Sequence, residues 1–164
     1  MKKKINTTDL VEKIEKLTKS RMAAEPVVSL DQFRTAHAKM NPKVLLVIED
    51  DETMRNAIKR IFEPEGYILK MAADSTELTT VLDDEPIDLI LMDVGLPWIN
   101  GFELAQLLRE NRDLKKIPLI FVSGQAKDED MKKAFEVGAS DFVKKPFDVE
   151  KLKKSVATLL KMNE

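Results

Sequence analysis

Four acids in a row, Glu49, Asp50, Asp51 and Glu52, close the apolar run VLLVI. Side by side such charges repel, and the end of an apolar strand is a poor place to leave them unpaired. Three other polar residues end comparable runs: Asp93 after IDLILM, Ser123 after PLIFV and Lys145 after DFVK. A group of carboxylates with neither histidine nor thiol is a hard-oxygen site, which suits a Mg²⁺ ion that keeps several waters and also binds phosphate. Lys145 adds a fixed positive charge, so an ion and an ammonium together make the acids tolerable.

The rest of the composition narrows the chemistry. The 164 residues contain no cysteine, which excludes disulfides, thiolate zinc sites and a cysteine nucleophile, and fits a reducing compartment. The one histidine, His37, cannot build a histidine metal cluster and is read as a surface or packing residue. Hydrolase triads are therefore not expected. No apolar run reaches the ~20 residues of a membrane span, and MKKK lacks the apolar core of a secretory signal, so the cytoplasm is the expected location and no membrane is expected as a partner.

For the acids, the serine and the lysine to meet, the elements carrying them must end at one edge. From Lys43 onward short apolar runs alternate with longer amphipathic segments, the pattern of β/α units. Strands are predicted over 44–48, 67–72, 87–93, 118–123 and 140–144. Between them, helical faces are read from Met54, Ile58, Ile61 and Phe62; Leu78, Val81 and Leu82; Leu104, Leu107 and Leu108; Met131, Ala134, Phe135 and Val137; and Leu152, Val156, Leu159 and Leu160. Gly66 is read as the left-handed cap closing the first of these helices. The first, third and fourth strands are almost wholly apolar, as strands covered on both faces should be, whereas the second and fifth suit edges. Right-handed crossovers give an open, doubly wound parallel sheet, with ligands at the reversal of strand order beyond the carboxyl ends of the strands.

Residues 1–42 differ in character. They carry a net charge of +4, against −6 for residues 43–164. Asp9-x-x-Glu12 and Ser29-x-x-Gln32 each resemble a capping box, the first before Leu10, Val11, Ile14 and Leu17 and the second before Phe33, Ala36 and Met40. Two short helices ending at Asn41-Pro42 are predicted, as a helical extension or linker ahead of a domain spanning 43–164. Nucleic acid is not expected as a partner, because the basic charge is spread among acids and stacking aromatics are few.

The segments VLLVIEDDETMR (44–55), DLILMDVGLPWINGFEL (88–104), PLIFVSG (118–124) and GASDFVKKPF (138–147) together resemble the receiver domain of two-component response regulators, in that family's order and with its kind of spacing. The resemblance covers residues 43 to about 161. It implies a flavodoxin-like (βα)5 sheet of order 2-1-3-4-5 and a signalling switch rather than an enzyme in the ordinary sense. Asp93 would be the phosphoacceptor, taking a phosphoryl group from a sensor histidine kinase or histidine phosphotransferase and holding it as an acyl phosphate. Asp50, Asp93 and the Gly95 backbone carbonyl would ligate Mg²⁺, with Glu49 and Asp51 acting through water or from just behind the ligands.

By the same resemblance Lys145 would pair with Asp93 and later with the phosphate, and Ser123 would donate its hydroxyl to a phosphoryl oxygen. Ser123 and Phe142 would be the switch residues, Phe142 swinging inward towards space near Ser123. Lys145-Pro146 resembles the family's cis peptide, while Val143 and Phe147 are read as core. Two positions depart from what commonly shapes water access to the acyl phosphate: Gly95 offers no side chain there, and Gln125 stands two residues after Ser123.

Output is expected through an effector protein or a homodimer, using the face of the last helix, the last strand and the helix before it, or through onward phosphotransfer. Trp98 is read as a hydrophobic cap in the loop after Asp93. Two competing readings remain: a receiver-like interaction module independent of phosphorylation, and a phosphohydrolase working through an aspartyl phosphate. Against the second, the haloacid-dehalogenase pattern needs an acid where Gly95 stands.

Overall fold

The computed structural model describes residues 7–24, 29–32, 36, 41–84 and 86–164. The chain divides into two compact units, Met1–His37 and Ala38–Glu164.

In the first unit the described helix is α1 (Thr7–Ala24). It already includes Asp9, so the helix starts ahead of the predicted capping position. Val11, Ile14 and Leu17 are exposed. The second predicted box is formed: Ser29 N donates to Gln32 Oε1 and Gln32 N donates to Ser29 Oγ, both at 3.1 Å. Phe33, His37 and Met40 lie outside the described residues.

The second unit alternates strand and helix throughout: β1 (Val44–Ile48), α2 (Glu52–Phe62), β2 (Ile68–Ala72), α3 (Ser75–Asp84), β3 (Leu89–Met92), α4 (Gly101–Glu110), β4 (Leu119–Ser123), α5 (Asp128–Glu136), β5 (Asp141–Lys144) and α6 (Val149–Met162). All strand pairs are parallel and the order is β2-β1-β3-β4-β5. The three almost wholly apolar strands, β1, β3 and β4, occupy the centre, where both faces are covered.

Their side chains alternate between two cores. Leu45, Val47, Leu89, Leu91, Ile120 and Val122 meet Ile58 and Phe62 of α2 and Leu152, Val156 and Leu160 of α6. Leu46, Ile48, Ile90, Met92, Leu119 and Phe121 face the other way, onto Leu78 of α3, Leu104, Ala105 and Leu108 of α4 and Ala134 of α5. Each Val, Leu, Ile, Met or Phe side chain so buried contributes about 1.5–3 kcal/mol.

The helical faces read from the sequence are correct except at their margins. Leu107 and Phe135 are about half exposed, because in each helix a neighbour one position on or back, Leu108 or Ala134, sits nearer the centre of the buried stripe. Helix α2 runs into a single 3₁₀ turn, Glu63–Glu65, and Gly66 closes it at φ +89°, a conformation natural to glycine. Arg109 fastens two connections on the far edge: its guanidinium donates to the carbonyls of Leu114, Lys115, Ile117 and Gly138. Burial pulls its pKa below the usual arginine value.

Candidate functional site

The reversal of strand order falls between β1 and β3, so the loops leaving these two strands part from each other and leave a crevice at their carboxyl ends. Glu49, Asp50 and Asp51 leave β1; Asp93 leaves β3, with its N–H on the Ile48 carbonyl at 3.0 Å. On the other side Ser123 ends β4, and the Lys145 N–H donates to the Ser123 carbonyl at 2.8 Å. Backbone pairing alone therefore gathers four strand ends at one edge.

Carboxylate oxygens of Glu49, Asp50 and Asp93 lie within 4.8 Å of one another. Lys145 Nζ sits against this group, 2.6 Å from Glu49 Oε2 and 3.6 Å from Asp93 Oδ1. Glu49 is buried, with 3% of its surface exposed. Burial raises its pKa above the ordinary glutamate value, and the bonds from Lys145 Nζ and the Asp51 N–H oppose that rise. A buried carboxylate so placed needs a cation, and the lysine supplies one of its two oxygens with a short, charge-assisted hydrogen bond.

Three converging carboxylates beside a single ammonium fit a small, hard divalent ion. All are oxygen donors, and the donor set lacks the imidazole or thiolate that would favour a softer metal.

Asp51 has another task. Its Oδ1 accepts from Met54 N at 3.1 Å as the N-cap of α2, and its own N–H donates to Glu49 Oε1 at 3.2 Å. Ser123 is buried beside the crevice, its Oγ accepting from Gln125 N at 3.2 Å. Phe142 is buried too, its ring 6.3 Å from that of Phe121. The Lys145-Pro146 peptide is cis. Trp98 Nε1 donates to the Ala73 carbonyl at 3.2 Å, so it ties the loop after β3 to the loop after β2.

Two glycines border Asp93. A Cβ on Gly95 would lie 3.9 Å from Asp93 Oδ2, an ordinary contact, so glycine leaves that flank of the carboxylate uncovered. A Cβ on Gly101 would come within 2.5 Å of the Asp93 carbonyl and 2.7 Å of Val94 Cα. The start of α4 thus rests directly on the backbone of Asp93 and Val94. Asn100 caps α4, and the close approach beside it has no local sequence signal. Gly101→Ala is expected to cost about 1–3 kcal/mol by overpacking. An alanine at exposed Gly124, where a Cβ meets nothing within 4 Å, should cost far less; equal destabilisation of the two variants in thermal melts would contradict this.

The model of the response regulator receiver domain family matches residues 45–157. Among curated relatives, the aerobic respiration control protein ArcA of Escherichia coli K12 is 38% identical over 66% of this chain and 44% of its own length. The transcriptional regulatory protein YvrH of Bacillus subtilis is 35% identical over 71% of this chain and 48% of its own. The chain therefore spans less than half of either relative. Among solved structures, the receiver domain of Francisella response regulator 1452 superposes with a TM-score of 0.68 at 29% identity, covering 76% of this chain and all of that one.

Proposed function

This chain belongs to the response regulator receiver domain family, and from that membership we propose that it is a Mg²⁺-dependent phosphorylation switch with Asp93 as phosphoacceptor. The observation that carries the reading is the convergence of Asp93 with Glu49, Asp50 and Lys145 at one strand edge. An Asp93 carboxylate oxygen forms the bond to phosphorus as the bond from phosphorus to the donor's leaving atom breaks, giving an acyl phosphate. The donor is a sensor histidine kinase or a histidine phosphotransferase.

Asp50, Asp93 and the Gly95 carbonyl would hold the ion, with Glu49 and Asp51 behind them. When bound it neutralises charge on the phosphoryl oxygens that this nest of carboxylates would otherwise repel. Lys145 binds the transferred group as a point charge, and Ser123 turns its hydroxyl from the Gln125 N–H towards a phosphoryl oxygen. Phe142 follows, and the rearrangement is read by an effector or a second copy at the α5–β5–α6 face. Residues 43–164 form the receiver and residues 1–42 a helical extension.

Location in the cytoplasm agrees with the absence, among the described residues, of any helix long and apolar enough to cross a membrane.

Incubation with acetyl phosphate, with and without Mg²⁺, followed by intact mass measurement tests the reading. A gain of one phosphoryl group that requires the ion is expected. A folded protein that binds Mg²⁺ and gains nothing from acetyl phosphate or phosphoramidate would favour an interaction module independent of phosphorylation.

A further inference from the structure

Arg55 lies on the first turns of α2 and has no part in the chemistry above. Its Nη1 donates to two backbone carbonyls in the loop just before the helix, Glu49 O at 2.9 Å and Asp50 O at 2.7 Å. These belong to the two residues whose carboxylates join Asp93 in the crevice. Carbonyl direction sets the peptide plane, and the planes on either side of Asp50 set where its side chain leaves the backbone. A guanidinium donor shared by both carbonyls therefore fixes the angle at which Glu49 and Asp50 are presented.

The helix dipole gives no reason for a cation here. The positive end of the α2 dipole is at this terminus, where Arg is mildly unfavourable and the acids Asp51 and Glu52 are favourable. Nor does the buried face of the helix depend on Arg55, since Ile58 and Phe62 make it. The placement works against the dipole and in favour of the loop. Three carboxylates held close together push one another apart, and the peptide bonds carrying two of them are where that repulsion would be relieved. The other bonds of this loop, Glu49 N on Ala72 O, Asp51 N on Glu49 Oε1, Lys145 Nζ on Glu49 Oε2 and the Asp51 cap, leave the Asp50 carbonyl to Arg55.

We infer that Arg55 is a positioning residue for the divalent-ion site: by clamping the Glu49 and Asp50 carbonyls it holds the acidic loop in the shape that binds Mg²⁺. The inference rests on the proposed function for its biological meaning, but its test does not require phosphoryl transfer.

Mn²⁺ titration of the full chain, with free ion counted by electron paramagnetic resonance, compares wild type, Arg55→Met and Arg55→Lys. Loss of an orienting partner behind a metal ligand typically weakens binding about 10–100-fold, and a tenfold or greater rise in dissociation constant is expected for Arg55→Met. Arg55→Lys should fall between, since an ammonium can meet one carbonyl but lacks the planar fork. With a small phosphodonor, the Mg²⁺ concentration for half-maximal rate should shift by the same factor while the rate at saturating Mg²⁺ stays within about twofold of wild type.

Equal Mn²⁺ affinity in wild type and Arg55→Met overturns the inference, as does a fall in saturated rate without a shift in half-saturation, or a wild type that binds no ion. A wild type that binds the ion, loses it in Arg55→Met and yet takes up no phosphoryl group sustains the inference and overturns the proposed function instead.

Discussion

Asp93→Asn is expected to take up no phosphoryl group from acetyl phosphate, a loss on the order of a thousandfold or more in labelling rate, while keeping the wild-type fold. The amide is nearly isosteric with the carboxylate, so the packing beside Gly101 and the backbone bond from Asp93 N to Ile48 O are preserved. What disappears is the anionic oxygen. A neutral amide is a poor nucleophile towards phosphorus and also subtracts one of the three carboxylates that converge in the crevice. Stability should change little, because Lys145 keeps its shorter bond, to Glu49 at 2.6 Å, and loses only the longer contact with Asp93. Thermal melts within about 4 °C of wild type are expected. Intact mass and peptide mapping check the chemistry: labelling of the variant at another residue with wild-type yield would defeat the assignment of Asp93.

The sheet was legible because short, almost wholly apolar runs alternate here with amphipathic segments of period 3.6. Apolar VLLVI and LIFV read as central strands, and the more polar ILKMA and DFVK suit edges. Parallel pairing then placed Glu49, Asp93, Ser123 and Lys145 together without further information. What stayed hidden was contact that spans elements and leaves no period. The bracket made by Arg109, the approach of Gly101 to the Asp93 carbonyl and the clamp of Arg55 each join a side chain or Cα to backbone carbonyls. Carbonyls are present at every residue, so nothing in the sequence marks which ones are used. Asp51 shows the opposite difficulty. In a run of four acids all look alike, and only the geometry of α2 reveals that this one spends an oxygen on the helix cap.

Lys145→Met should separate the resting charge balance of the crevice from its chemistry. In EDTA the variant leaves Glu49 buried without its ammonium, and removing one partner of such a pair costs on the order of 3 kcal/mol. Addition of Mg²⁺ should recover most of that loss, because an ion that binds only the folded chain stabilises it in proportion to the logarithm of its concentration over its dissociation constant. The variant should also bind the ion more tightly than wild type, since the ammonium no longer repels a divalent cation beside the same carboxylates.

The deficit has a pH signature. Glu49 already has a raised folded-state pKa, and losing the lysine, one of the influences that lower it, raises it further. An acid whose folded pKa exceeds its unfolded value favours the folded state below the unfolded pKa and loses that contribution as pH rises through the folded one. The destabilisation is therefore greatest near neutrality and shrinks as the pH falls towards the ordinary glutamate value of 4.5. Phosphoryl uptake at saturating Mg²⁺ should persist at a reduced rate while the response of the effector is lost, because the ion can neutralise charge during transfer but only the lysine is covalently tied to β5. Melts in EDTA and in Mg²⁺ across this pH range make the check: wild-type stability in EDTA, or a deficit that Mg²⁺ leaves untouched, would mean that Lys145 does not compensate the buried acid.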